Sequence, residues 1–325
     1  MKPEAGVSGI IEAANGMSDL KLFRLSSAGV SEMKGGTLAL ERSLQTLFEQ
    51  NLEAFMGIRF LASEQRTTSG RIDTLGIDEN ASPVIIEYKR ASNENVINQG
   101  LFYLDWLMDH RRDFEWLVME RFGKDHAAKV EWSSPRLICI AGDFTRYDEH
   151  AVKQISRNIE LVRYRRFGGD LLLLDLVTTT TSAEPQIAHK TGDNEAMRSP
   201  SGAAGSKYKT VTASLADADT ALTDLFEATR SYLRALGDDV QERTLKNYFA
   251  FTRLKNFACI EIKPTARKLL VYLKVDPETI EVRPGFTRDV SNIGHFGTGD
   301  LEVTLAQIED LERAKPLLQQ SYEAS

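Results

Sequence analysis

From residue 178 to residue 207 the chain reads TTTTSAEPQIAHKTGDNEAMRSPSGAAGSK, rich in Thr, Ser, Ala, Gly and Pro and nearly free of large apolar side chains. A segment of this kind buries too little to offset the entropy of ordering its backbone, so no single hydrophobic core can run through it. The chain must therefore build two cores. The break predicts a first domain over 1–178, with its core from about residue 37, a flexible linker over 179–207 and a second domain over 208–325. No internal repeat relates the two parts.

Composition narrows the class. Hydrophobic residues are 42% and charged residues 27%, enough apolar material for folded domains. A net charge of -7 excludes a globally basic nucleic-acid coat but leaves room for a local basic groove. Cys139 and Cys259 both sit in apolar runs and are expected to be core thiols. Two cysteines so placed exclude a disulfide framework and a cysteine-based zinc site. No apolar run approaches the roughly 20 residues of a membrane span, and no basic segment followed by an apolar core opens the chain. These features predict a cytoplasmic protein with no membrane partner.

Periodicity supplies the elements. A strand is expected over 21–25, then a helix with Thr37 as a plausible N-cap and Leu40, Leu44, Leu47, Phe48, Leu52 and Phe55 on one face. RIDTLGI (71–77) and VIIEYK (84–89) read as two strands joined by the turn cluster DENASP, hence a hairpin. A helix over 95–109, strands over 137–141, 159–166 and 171–177, and a helix over 148–156 complete a mixed α/β sheet flanked by helices. The second part reads as a small α+β domain with an antiparallel sheet. Its helix over 216–236 is stopped by Gly237; strands follow over 248–252, 257–262, 268–275, 280–283 and 301–305, and a last helix runs to about 322.

One constellation carries chemistry. Along 84–89 side chains alternate, so Val84, Ile86 and Tyr88 face one way and Ile85, Glu87 and Lys89 the other. An acid and a base on such an apolar strand are costly unless paired or bound to a metal. The partner strand brings Asp73 beside Glu87. Two convergent carboxylates suit a hard divalent cation, Mg2+ or Mn2+, which keeps several waters and leaves room for a phosphate oxygen. Lys89 alongside can orient a nucleophile and neutralise developing charge. Gln99 and Tyr103, four residues apart, share a face of the next helix. Glu41, near the start of the first helix, can enter the same site as a third ligand. Glu64 could line it, whereas Glu49 and Glu53 are expected on that helix's solvated face. The chemistry implied is hydrolysis of a phosphodiester.

These residues resemble the PD-(D/E)XK nuclease signature: Asp73, then Glu87 and Lys89 about fourteen residues on, then the Gln99/Tyr103 pair of the RecB-like branch. GRIDTLGID, VIIEYKR and LERSLQTLFEQN are similar to segments of the catalytic domain of the NucS/EndoMS endonucleases, with Ile72 where the family name has proline. The resemblance implies a restriction-endonuclease-like sheet, with Asp73 and Glu87 as metal ligands and Glu41 as the helix acid. It implies Lys89 as catalytic lysine and Gln99 and Tyr103 as the auxiliary pair. The C-terminal part, most clearly GFTRDVSNIGHFGTGDLEV, resembles an uncharacterised domain found after such nuclease domains.

The expected activity is a metal-dependent deoxyribonuclease, an endonuclease acting in DNA repair or defence. The alternative is an inactive nuclease-fold DNA-binding module whose C-terminal domain senses a partner or ligand. DNA is the expected partner, and a homodimer is allowed for. Arg71, Arg90, Arg163 and Arg165 are the candidate DNA contacts, with Arg136 a further basic residue that could line a channel.

Overall fold

The computed structural model describes residues 20–27, 29–38, 40–68, 70–89, 95–180 and 209–325. Arg90 and residues 181–208, most of the expected linker, lie outside the described residues.

The first domain runs β1 (Leu22–Ser26), β2 (Gly29–Met33), β3 (Gly35–Gly36), α1 (Glu41–Met56), β4 (Ile58–Thr67), β5 (Gly70–Asp78), β6 (Pro83–Lys89), α2 (Asn95–Asp109), α3 (Arg111–Phe122), α4 (Lys124–Ala127), β7 (Arg136–Ala141), α5 (Arg146–Lys153), β8 (Asn158–Phe167) and β9 (Leu171–Thr180). β1 and β2 form their own hairpin; the other strands make one sheet in the order β3-β8-β7-β6-β5-β4, with β9 on β8. β4, β5 and β6 are antiparallel neighbours, while β6, β7 and β8 run parallel through helical crossovers.

Alternation along β6 sorts the two cores as expected. Val84, Ile86 and Tyr88 pack with Leu44, Phe48 and Leu52 of α1 on one face. Ile85 packs with Ile97, Leu104 and Leu107 of α2 on the other. Glu87 shares that second face yet is fully buried, beside Cys139 on β7. This is the mixed α/β sheet flanked by helices that the patterning implies.

The second domain runs α6 (Val211–Ala216), α7 (Thr220–Arg234), β10 (Gln241–Thr244), β11 (Phe249–Thr252), β12 (Asn256–Lys263), β13 (Lys268–Leu273), β14 (Thr287–Asp289), β15 (Leu301–Leu305) and α8 (Ile308–Glu323). Its six strands form a separate antiparallel sheet, β10-β11-β12-β13-β15-β14. Phe226 and Leu233 of α7 and Leu311 and Leu318 of α8 cover one face.

Several expectations need correction. Thr37 does not cap α1: the helix starts at Glu41 with Leu40 at the N-cap and no side-chain bond there, and the first-turn carboxylate faces the helix dipole instead. The helix expected over 216–236 is α7, which starts only at Thr220 because Asp219 accepts the Leu222 amide (2.9 Å) as its N-cap; the short α6 before it was not expected. The strand expected over 280–283 is irregular, with a 3₁₀ turn before it and Pro284, which has no amide to donate, after it. Thr179 and Thr180, assigned to the linker, extend β9 and pair with Glu160 and Ile159. β4, α3 and β10 carry no strong periodic signal.

The domains meet at the turn between β5 and β6. Asp78 Oδ1 accepts the Asn80 and Ser82 amides, each at 2.9 Å, which closes the turn. Asn80 and Asn256 exchange side-chain amide hydrogen bonds (3.2 and 2.7 Å), and Tyr248 Oη donates to Asn80 Oδ1 (3.0 Å). Glu79 accepts the Asn256 amide (2.9 Å) and pairs with Lys274. Below them lies a buried four-charge cluster. Arg136 donates to both oxygens of Glu160 (2.9 and 2.8 Å) and to Asp78 (3.0 Å), while Arg243 reaches across from β10 to Glu160 (2.6 Å). Burial would raise the Glu160 carboxyl, but the two guanidiniums override it and hold Glu160 low.

Candidate active site

β5 and β6 bring the two carboxylates together. Asp73 is adjacent to Thr74, which pairs with Ile86, so Asp73 meets β6 at Glu87 and Tyr88. Glu87 Oε1 accepts the Asp73 amide (3.2 Å), and Asp73 Oδ2 accepts the Tyr88 amide (3.0 Å). The other Glu87 oxygen, Oε2, is buried with no hydrogen-bond partner. Burial, and next the negative charge of Asp73, push the Glu87 carboxyl up to about 8. Burial also raises Asp73, opposed by the Tyr88 amide. Two adjacent desolvated carboxyls, one raised further by the charge of the other, are a costly apo arrangement characteristic of a functional site.

Around this pair an open cleft of about 490 Å³ is lined by Glu41, Asp73, Lys89, Gln99, Tyr103 and Arg71, among others. Every residue of the sequence-derived set except buried Glu87 thus faces one space. Lys89 Nζ stands 3.9 Å from Glu41 Oε2. Tyr103 Oη accepts from Gln99 Nε2 and from the Arg71 amide, both at 3.0 Å. With both lone pairs taken, its hydroxyl proton is left to donate. A Cβ at Gly70 would run into that hydroxyl, so a larger residue there would push the Tyr103 ring out of place.

Glu64 has φ 56, the left-handed region, between the Ser63/Thr74 and Gln65/Ile72 register pairs. Such a backbone in a non-glycine strand residue stores strain. Its carboxylate pairs with Arg71, and its charge is felt by both Asp73 and Glu87. Glu64 therefore belongs to the rim of the site.

Two site residues escaped the sequence reading. Gln45 is buried and donates from Nε2 to the Asp73 carbonyl (2.9 Å), to Glu49 Oε1 (3.0 Å) and to Ser63 Oγ (3.2 Å). Glu49 Oε1 also accepts from Thr74 Oγ1 (2.6 Å). Glu49 is thus not on the solvated face of α1 as expected; its carboxylate turns toward β5 because Gln45 and Thr74 offer it donors there. Glu53 is exposed, as expected. The available signal was the i, i+4, i+8 spacing of Glu41, Gln45 and Glu49.

The basic candidates divide. Arg71 lines the cleft, although Glu64 shares its charge. Arg163 is spent inside the fold, donating to Asp143 (3.2 Å) and Asp175 (3.2 Å from Nε), which leaves no free cation for a DNA contact. Arg165, two residues on, also has partners within the chain. Arg136 is buried in the domain joint and cannot line a channel, because Glu160 and Asp78 hold its guanidinium.

Among the described residues no group of three or more His, Cys, Asp or Glu side chains is preassembled as a metal cage. The donors present nevertheless suit a hard cation: two desolvated carboxylates, one with an orphan oxygen, beside an open cleft that admits water. No helix among the described residues is long and apolar enough to cross a membrane.

Fold and site together define an α/β protein whose mixed sheet presents a paired-carboxylate cleft, with an antiparallel domain docked at the turn of the β5–β6 hairpin. The chain belongs to the family of a Haemophilus influenzae protein named Uncharacterized protein, with 30% identity over 307 residues, 93% of this chain and 99% of that one. Residues 211–325 match the family described as domain of unknown function (DUF5655). Among solved structures, a repair endonuclease from Pyrococcus abyssi is similar over 39% of this chain and 48% of that chain, at 18% identity and a TM-score of 0.27. An EndoMS–dsDNA2 complex is similar over 39% and 47%, at 20% identity and a TM-score of 0.25. The chain thus spans about half the length of these two structural neighbours.

Proposed function

We infer that this protein is a Mg2+- or Mn2+-dependent endonuclease that hydrolyses DNA phosphodiester bonds, in the manner its motif resemblance implies. The observation that carries the reading is the Asp73–Glu87 pair. Both carboxyls are desolvated, one oxygen is unsatisfied, and Lys89 stands beside them at an open cleft. Asp73 and Glu87 would hold the metal, with Glu41 contributing directly or through water. When bound, the metal would polarise the phosphodiester and lower the pKa of an attacking water.

The chain's own groups do the rest. Lys89 orients the water and offsets charge developing on the phosphate. Water oxygen bonds to phosphorus as the bond to the leaving sugar oxygen breaks, giving a phosphate monoester and a free hydroxyl. Tyr103 offers its remaining proton to a phosphate oxygen, and Gln99 holds that ring in place. Gln45 fixes the β5 backbone at Asp73.

The deciding experiment is incubation of the full chain with linear, flap, mismatched and single-stranded DNA, with Mn2+ and with EDTA. Metal-dependent cleavage lost in Asp73→Ala and Glu87→Ala supports the reading. Binding without cleavage on every substrate overturns it in favour of an inactive DNA-binding module.

A further inference from the structure

The domains enclose a second cavity of about 730 Å³ at the turn end of the β5–β6 hairpin, away from the carboxylate cleft. Its volume is that of built ligand sites, which favour domain junctions. The floor is rigid, because Asn80, Asn256 and Tyr248 satisfy one another there.

The walls carry unspent positive charge. Asp78 and Glu79, the acids at the floor, are neutralised by Arg136 and Lys274. What remains is Arg59 and Lys129 from the first domain and Lys246 and Lys255 from the second, against Glu53 and Glu131. None of those four cations has an ion pair among the described residues; the Arg59 guanidinium lies over the Phe122 ring (4.5 Å), so the three lysine ammoniums are the cations with no partner among those residues. In a chain of net charge -7 this local excess runs against the general field.

The cations are spread along the cavity. Lys246 lies in the turn before β11 and Lys255 in the turn after it, so the four residues of that strand separate them by roughly 13 Å. One phosphate cannot reach both; a chain of phosphates can. Aromatic surface lies in the same cavity. His295 is stacked flat on Tyr272 (4.3 Å, 7°), and Phe296 packs partly buried against the cluster containing Tyr248 and Cys259. Gly297, at φ 86, lets this loop press onto the sheet where a Cβ would strike Cys259.

We propose that this interdomain cleft binds a short stretch of single-stranded nucleic acid, its phosphates on Lys246, Lys255, Lys129 and Arg59 and a base against Phe296. Cations along a groove with aromatic surface beside them are what holds such strands without sequence choice. As a binding site it stands apart from the cleavage reading; as a second hold on the strand to be cut it rests on that reading.

The test is fluorescence anisotropy of labelled dT8 and rU8 with the full chain in EDTA, the two arms telling DNA from RNA. Wild type binds saturably. The variant Lys246→Glu/Lys255→Glu, both positions at least partly exposed, binds at least about tenfold more weakly, and its plot of log K against log salt is flatter by about 1.4 for two lost phosphate contacts. Should that variant unfold, Lys246→Gln/Lys255→Gln, checked by its melt, loses about threefold and flattens the slope in the same sense. Arg283→Glu, exposed, paired with Glu281 and outside both clefts, leaves this binding within about twofold. A 5-iodouracil strand crosslinks to the peptide carrying Phe296. No saturable binding, unchanged affinity in folded variants, or crosslinks confined to the carboxylate cleft overturns the proposal. Cleavage in Mn2+ is scored separately. A chain that binds here and never cuts defeats only the nuclease reading; one that cuts and ignores Lys246 and Lys255 defeats only this one.

Discussion

Asp73 and Glu87 hold each other through the backbone they share: Glu87 accepts the Asp73 amide at 3.2 Å, and Asp73 accepts the amide of Tyr88, the residue after Glu87, at 3.0 Å. Two carboxylates that cannot move apart are preorganised for a shared cation and strained without one. Asp73→Ala and Glu87→Ala should therefore abolish cleavage and weaken Mn2+ binding, read by calorimetric titration. Neither should lower the apo melting temperature appreciably. Mn2+ affinity unchanged in both variants removes the ligand assignment.

The same strain sets a pH dependence. Glu87 titrates at about 8 in the folded apo protein, above its ordinary 4.5. Between those values the unfolded chain has released the proton and the folded chain has kept it, so apo stability falls as pH rises, by up to about 1.4 kcal/mol per unit. Glu87→Gln should flatten that fall and be more stable than wild type near pH 8. Chemical denaturation from pH 5 to 8 checks both, and parallel profiles for wild type and variant would refute the assignment.

Lys89 is exposed enough to reach a ligand in the cleft and stands near Glu41. Lys89→Ala should lower single-turnover cleavage by about 10²–10³ with little change in DNA affinity, the loss expected for one electrostatic stabiliser. A rate within a few-fold of wild type would reduce Lys89 to an ion-pair partner.

Gln45 acts through Asp73. Its amide ties α1 to the Asp73 carbonyl and to Glu49. Gln45→Ala should lower kcat by about 10- to 100-fold through misplacement of the ligand strand, with KM little changed. Undiminished kcat in a variant that melts normally would make Gln45 a packing residue only.

Arg243 belongs to the second domain yet completes the charge balance of the first. Arg243→Ala leaves Glu160 to Arg136 alone and should cost about 3–5 kcal/mol, as removal of one partner from a buried pair does. An isolated first domain lacks the same guanidinium and should melt below the whole chain, although it contains every residue assigned to catalysis. A melting temperature within about 2 °C of wild type for Arg243→Ala would show that the joint is not a stability element.

Local spacing made part of this protein legible in the sequence. Two-residue alternation put Val84, Ile86 and Tyr88 on the α1 face and Ile85 and Glu87 on the other, and helical spacing located α2 to its termini. The thiols of Cys139 and Cys259 are buried and free, as their apolar runs implied. Strand register and helix periodicity put Glu87 and Lys89 on one strand face and Gln99 and Tyr103 on one helix face, whereas the meeting of these residues with Glu41 in one site was implied by the motif resemblance. What periodicity cannot carry is which distant charge answers which. Arg163 and Arg136 read as free cations until the fold brought Asp175, Asp143, Glu160 and Asp78 to them. Glu49 read as solvated until Thr74, 25 residues away, offered a hydroxyl. The segment after β5 read only as a turn cluster, and the tertiary structure makes it the domain joint, with Arg243 reaching Glu160 across 83 residues of sequence. Burial turns those long-range pairings into obligations, because an unpaired charge or polar group away from water costs more than the fold can spare.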